Sequence, residues 1–189
     1  MADLSNRDAA HGVDALFVER RSPRAFTKTE IQIATLTCII DAARWSPSCF
    51  NDQPWRFYTS NPDTFDAFLG LLVDANQAWA VNAGVLGFIT ARRQFTHNGE
   101  PNEFAGLDAG AAWMAMTLQA RKLGLYTHGM GGIHRDAAAA YLGVNIEQEQ
   151  VLMGFAIGTA ENVTQLSDAQ RERETPNGRR PLDEIWIKR

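Results

Sequence analysis

The chain has 189 residues, 45% apolar and 21% charged, with 15 Gly and 7 Pro. That length gives one domain able to bury about 70% of the surface its unfolded chain exposes, and the composition excludes disordered, collagen-like and coiled-coil chains. Eighteen basic against 22 acidic side chains leave a formal charge of −4, which argues against a non-specific nucleic-acid binder.

In chain order, Asp8 to Glu19 reads as a helix with Val13, Leu16 and Phe17 on one face. Arg20-Arg21-Ser22-Pro23-Arg24 interrupts it, because Pro23 disfavours helix at Ser22. Thr29 starts a second helix, with Gln32 closing a capping box and Ile33, Leu36, Ile40 and Ala43 facing the core. Ser46 to Pro54 is loop, and the alternation of Trp55 to Thr59 predicts a strand. Asn61 caps a third helix with Pro62 at its first position and Phe65, Phe68, Leu69 and Leu72 inward. Gly84 to Ala91 is a buried strand, and Phe95 to Glu103 is a polar, mobile connection.

Leu107 to Leu123 predicts a helix that is apolar all round. Leu107, Ala111, Met114 and Leu118 form one stripe, and Ala105, Ala109, Ala112 and Met116 another. Such a helix must be covered on every side. In a small chain a subunit interface does this, with Gly106 and Gly110 permitting close approach. Gly124 to Ile133 reads as a glycine-rich loop, Asp136 to Leu142 as a short helix, and Val151 to Ile157 as a third strand. The chain then turns polar from Glu161 to Gly178 and closes on Arg179-Arg180-Pro181-Leu182. Strands alternating with helices predict an α/β sheet covered on both faces.

P-loop, dinucleotide-fingerprint, HExxH and GxSxG patterns are absent. Cys38 and Cys49 make no disulfide framework and, with the four His, no metal-ligand spacing. The N-terminal residues from Met1 carry no apolar signal, and the uncharged stretch from Ala75 is too polar to span a bilayer. The expectation is a cytoplasmic protein without metal, membrane or nucleic-acid partner.

Three segments carry chemistry. Arg20, Arg21 and Arg24 lie at one end of the chain, Arg179 and Arg180 at the other. Either cluster alone reads as a solvated patch; together they could converge on one phosphate, where the guanidinium fork binds bidentately. The loop Ser46-Pro-Ser-Cys-Phe-Asn-Asp-Gln-Pro54 is either a helix-to-strand turn or a rigid arch offering amides and hydroxyls to a heteroaromatic ligand. Gly129-Met-Gly-Gly132 is either a connector or a place where backbone N–H groups approach a flat ligand.

Taken in order, the segments resemble the FMN-dependent nitroreductase family. Arg20-Arg-Ser-Pro-Arg-Ala-Phe26 is similar to its RRSxRxF motif, and Ser46 to Trp55 to its SPSSxNxQPW loop. Asn76-Gln-Ala-Trp79 resembles NxxW, Asp108-Ala-Gly-Ala-Ala112 resembles DxGxA, Leu123-Gly-Leu125 with Gly131-Gly132 resembles LGLG…GG, and Arg179-Arg-Pro-Leu182 resembles RRPL. The resemblance implies a three-layer sandwich of α/β (α+β) class, with a mixed central sheet and helices on both faces. It implies an intertwined homodimer with two FMN sites at the interface. Residues 1–189 would be one domain, with 161–189 an extended tail reaching the flavin phosphate and the dimer.

Carried over by position, the resemblance gives Arg20, Ser22 and Arg180 the phosphate and ribityl chain, with Arg21 and Arg179 nearby. Arg24 would face flavin N1 and O2, where negative charge appears on reduction. Pro47, Ser48, Cys49 and Asn51 would come from the partner subunit. Asn76 would bond the pyrimidine edge, and the turn Met130-Gly131-Gly132 would present the Gly131 N–H to N5. No side chain need be catalytic, because the flavin carries the hydride. The implied activity is ping-pong transfer from NAD(P)H to a nitroaromatic, quinone or similar flat oxidant. The alternatives are a flavoenzyme of the same fold with one dedicated substrate, and a flavin-binding protein without turnover. Cys49 departs from the family's second Ser and Gly131 from the acidic residue of some members. The short chain leaves little room for a helical insertion over the site.

Overall fold

A computed structural model describes residues 3–160 and 163–189. Met1 and Ala2 of the N-terminal reading, and Glu161 and Asn162 at the start of the expected tail, lie outside the described residues. In chain order the elements are α1 (Ala15–Glu19), β1 (Phe26–Thr27), α2 (Ile33–Arg44), β2 (Trp55–Thr59), α3 (Phe65–Gly70), α4 (Asp74–Ala80) and β3 (Val85–Arg92). There follow α5 (Ala105–Lys122), β4 (Tyr126–Met130), α6 (Arg135–Leu142), β5 (Glu149–Ala160), α7 (Asp168–Glu172) and α8 (Leu182–Ile185).

The centre is a sheet in the order β1-β5-β3-β2, with β4 paired to β5. Every ladder is antiparallel, so within one chain the sheet expected to be mixed is antiparallel throughout. Helices cover both faces, as the α/β reading requires. On one side α2 and α5 bring Leu36, Ile39, Ala43, Ala109, Ala112 and Met116 against Val85, Ile89, Phe155 and Ile157. On the other, α3, α4 and α6 bring Phe65, Phe68, Trp79, Ala80 and Ala138 against Leu86, Phe88 and Ala156. The period-two alternation of a strand sends odd and even residues of β3 to opposite layers. A register shift opposite Ile89 and Thr90 then turns Val151 to the face opposite Phe155, although their parity is the same.

Several boundaries differ from expectation. The first helix is only α1, because Gly12 is left-handed (φ 88°) and Asp14 caps the turn by accepting from Leu16 N–H at 2.8 Å. The capping box at Thr29 does not form. The Thr29 hydroxyl instead lies 3.1 Å from the Thr27 carbonyl and 3.0 Å from the Thr159 hydroxyl, and α2 begins at Ile33, which is exposed. Asn61 closes a turn onto Thr64, so α3 starts at Phe65 and Leu72 lies beyond its end. Residues Tyr126–Met130, expected as glycine-rich loop, form a strand, with Thr127 and His128 buried and all five residues paired to β5. Gly129 permits it: a Cβ there would lie 2.9 Å from Met153 Cε.

Candidate functional site

Two ends of the chain meet beside β4. A cavity of about 590 Å³ is lined by Arg7, Arg20, Arg21, Ser22 and Arg24 from the N-terminal side, by His128 and Gly129 of β4, and by Arg173, Glu174 and Arg179 of the tail. Thus the structure brings together four of the N-terminal positions singled out in the sequence, and Arg179. Arg180 is exposed and is not among the lining residues. Arg7 and Arg173 were missed. They stand outside any cluster in the sequence, and only the folding back of both chain ends brings them here.

Six arginines and one acidic residue thus line the cavity. Burial, reinforced by the neighbouring Arg179, pushes Arg20 below the ordinary arginine range. Burial does the same to Arg7, with Arg179, Arg20 and Arg21 adding repulsion. Desolvated like charges destabilise one another until an anion neutralises them. A larger cavity, of about 930 Å³, shares Arg21 and Glu174 with this one. Its other arginines are paired, Arg121 with Glu19 at 3.3 Å and Arg171 with Asp168 at 3.0 Å.

The tail is fixed to the arginine segment. The Glu174 carboxylate accepts from Arg24 N–H at 2.6 Å and from Arg21 at 3.2 Å. Arg7 donates to the carbonyls of Val18 and Asn177, and to that of Arg20 at 3.0 Å. A capping box at Ser167 and Gln170 starts α7, which sets the direction in which the chain reaches Glu174.

His128 forms the floor. Its Nδ1 lies 2.9 Å from the Pro23 carbonyl, and its ring packs 4.5 Å from that of Trp79. A carbonyl only accepts, so Nδ1 carries the hydrogen and the neutral tautomer is fixed. Burial holds His128 below its ordinary value, with Arg24 adding to the effect and the bond to Pro23 opposing it. The unfolded chain therefore takes up this proton more readily than the folded one. Stability is full above about pH 6.5, the ordinary histidine value, and is lost as pH falls through the lower folded value. The melting temperature should decline between about pH 7 and pH 5, and His128→Gln should flatten the decline. An equal slope in the variant would contradict the assignment.

Beyond His128, β4 runs into Met130, Gly131 and Gly132. Met130 is buried, whereas Gly131 is exposed with open space around its Cα. Asn76 of α4 donates to the Gly132 carbonyl at 2.9 Å, and a Cβ on Gly132 would lie 2.8 Å from Asn76 Nδ2. Asn76 is thereby tied to the end of the strand that lines the arginine cavity.

The loop from Ser46 to Pro54 stands elsewhere. Pro47, Ser48, Cys49 and Asn51 do not line the cavity of their own chain. Ser48 Oγ accepts from Gln53 N–H at 3.0 Å, and Cys49 N–H donates to the buried Asp108 at 3.1 Å. The connection from Phe95 to Glu103 folds as a hairpin-like turn, bridged between Gln94 and Pro101. Along α5, one predicted stripe is buried: Ala105, Ala109, Ala112 and Met116. The other is covered only in part by its own chain, with Ala111, Met114 and Leu118 half-buried. Leu107 is 72% exposed, and both Gly106 and Gly110 face open space. Among the described residues no helix is long and apolar enough to cross a membrane, and no cluster of His, Cys, Asp or Glu could hold a metal ion.

A stretch 46% identical over 55 residues, 29% of this chain and 25% of the other, is shared with the 5,6-dimethylbenzimidazole synthase of Rhodospirillum rubrum. Another, 32% identical over 66 residues, covers 35% of this chain and 29% of the nitrobenzene nitroreductase of Ectopseudomonas oleovorans. The chain spans under half the length of the curated relatives it matches. A crystal structure described as an oxidoreductase containing FMN superposes with a TM-score of 0.93 at 39% identity, over 100% of this chain and 97% of that one. A nitroreductase family protein of Streptococcus pneumoniae shares the fold, with a TM-score of 0.74 at 19% identity over 93% and 98% of the two chains. The profile of the nitroreductase family matches residues 17–78 and 61–159, from within α1 to within β5, with Arg7 and the tail that carries Arg173 and Arg179 outside it, and on that match the chain belongs to the nitroreductase family.

Proposed function

We propose that this chain is an FMN-dependent oxidoreductase that works as a homodimer. The observation that carries the reading is the cavity lined by six arginines and one acidic residue. Its donor set fits a phosphate: guanidinium groups bind it in forked pairs, and Arg7 and Arg20, partly desolvated and beside other arginines, gain most from a dianion. Arg20, Ser22 and Arg179 would hold the phosphate and ribityl chain, with Arg21 pinned by Glu174 and Arg180 on the adjoining tail. Arg24 would place a fixed cation at the N1 and O2 edge, where it favours added negative charge. Asn76 and the turn Met130-Gly131-Gly132 would border the ring. FMN held there would supply two-electron hydride chemistry between NAD(P)H and a nitroaromatic, quinone or similar flat oxidant, in ping-pong order.

Pro47, Ser48, Cys49 and Asn51 would complete the site from the second subunit. Two features support that arrangement: the four lie away from the cavity of their own chain, and α5 leaves Leu107 exposed at the head of a half-buried apolar stripe. A second subunit packed there would complete the cover of this helix. The segment 46% identical to a 5,6-dimethylbenzimidazole synthase favours a second reading, in which the same site serves one dedicated substrate.

Purified protein should be yellow, or become so with added FMN. Under argon, NADH or NADPH should bleach it and an oxidant restore the colour. Steady-state rates at several fixed NAD(P)H concentrations should give parallel double-reciprocal lines. Intersecting lines would exclude the ping-pong order, and protein that stays colourless with excess FMN would exclude the whole reading.

A further inference from the structure

The loop from Ser48 to Gln53 holds three non-glycine residues in the left-handed region: Phe50 (φ 53°), Asn51 (φ 54°) and Gln53 (φ 49°). L-residues rarely adopt this conformation, and it persists only where the surroundings over-determine it. Asp52, the residue between Asn51 and Gln53, keeps ordinary right-handed backbone (φ −70°, ψ −24°) and turns its side chain inward. That side chain is only 2% exposed. Its carboxylate accepts from Thr96 N–H at 2.8 Å, from the Thr96 hydroxyl, and from the Arg92 guanidinium at 3.3 Å.

Arg92 also grips the backbone on both sides of Gln53. Its guanidinium donates to the Asp52 carbonyl at 2.8 Å and its N–H to the Pro54 carbonyl at 3.0 Å. Other parts of the loop bear on the same neighbours. The Phe50 ring meets Phe95 edge-on at 5.6 Å and His97 at 5.1 Å. A second buried carboxylate, Asp108 of α5, holds the Cys49 N–H.

We infer that Asp52 is a positioning residue: its carboxylate, clamped by Arg92 and Thr96, holds the Ser48–Gln53 loop in its strained form so that Ser48, Cys49 and Asn51 reach the cofactor of the second subunit. The inference rests on the reading of this loop as part of the FMN site. Without the clamp the left-handed residues relax, and only a fraction of the loops remains ready to bind. Apparent affinity falls by that fraction.

The test compares wild type with Asp52→Ala and Asp52→Asn. The asparagine keeps an oxygen for Thr96 but loses the charge, and covers the case in which the alanine variant fails to fold. In Asp52→Ala, FMN dissociation should rise about tenfold, as it does when the competent fraction falls to about a tenth. Amide hydrogen exchange across residues 48–53 should quicken in the FMN-free protein. Visible circular dichroism of the bound flavin, measured at saturating FMN, should change, and Asp52→Asn should restore most of the signal and the affinity. Faster exchange with unchanged FMN affinity and dichroism would overturn the positioning role. So would exchange equal to wild type in both variants. Wild type that binds no FMN would bring down the functional reading, and this inference with it.

Discussion

Replacing Arg20 by alanine should weaken FMN binding by about 1.5–3 kcal/mol, roughly a 10- to 150-fold rise in the dissociation constant, the cost of one charge-assisted contact. Arg20 lines the cavity and is held below the ordinary arginine range by burial and by Arg179. The same repulsion gives the prediction a second signature. Without an anion, Arg20 opposes its neighbours, so the cofactor-free variant should melt no lower than wild type. Loss of FMN affinity without loss of apo stability separates a ligand-binding arginine from a structural one. Equilibrium dialysis and thermal melts with and without FMN check both halves. Unchanged affinity would remove Arg20 from the phosphate site.

Glu174→Ala should act in the opposite way, through stability first. Its carboxylate, 6% exposed, is the acceptor for Arg24 N–H and for the Arg21 guanidinium. Removing it strands two partly buried donors at about 1–3 kcal/mol each. It also loosens the tail, whose remaining hydrogen bonds to the N-terminal segment, among the described residues, are those of Asn6 to Pro176 and Arg7 to Asn177. Chemical denaturation should show the destabilisation, and limited proteolysis should cut the tail faster than in wild type. Glu174→Gln, which keeps an acceptor oxygen, should fall between the two. Equal proteolysis in all three proteins would mean that Glu174 does not latch the tail.

Sequence patterning located the elements whose apolar residues follow one clean period. The β2 strand appears at its predicted residues, and α5 and α6 lie within two residues of theirs. Patterning failed where a local polar signal was overruled. Thr29 looks like a cap, but its hydroxyl is drawn to Thr27 and Thr159 across β1 and β5. The β4 strand was hidden because Gly129 reads as a breaker, whereas it lies against Met153 and Trp113 on the sheet. Short antiparallel strands of this kind are set by their partner, which no window of eleven residues contains.

The site was legible as separate pieces. Both arginine clusters, the Ser46–Pro54 loop and the glycines after His128 stand out by composition. The meeting of the two chain ends beside β4 does not. Arg7 and Glu174 carry no local signal, yet one ties the chain ends together and the other supplies the carboxylate of the cavity. Asp52 reads as an ordinary turn residue until Arg92 and Thr96 are seen around it.

The basic wall draws on both ends of the polypeptide, Arg7 and Arg20 to Arg24 on one side and Arg173 to Arg179 on the other. A variant cut after Ala160 keeps every strand of the sheet in its sequence but loses Arg173, Glu174 and Arg179, one side of that wall, and should take up less FMN than the full chain.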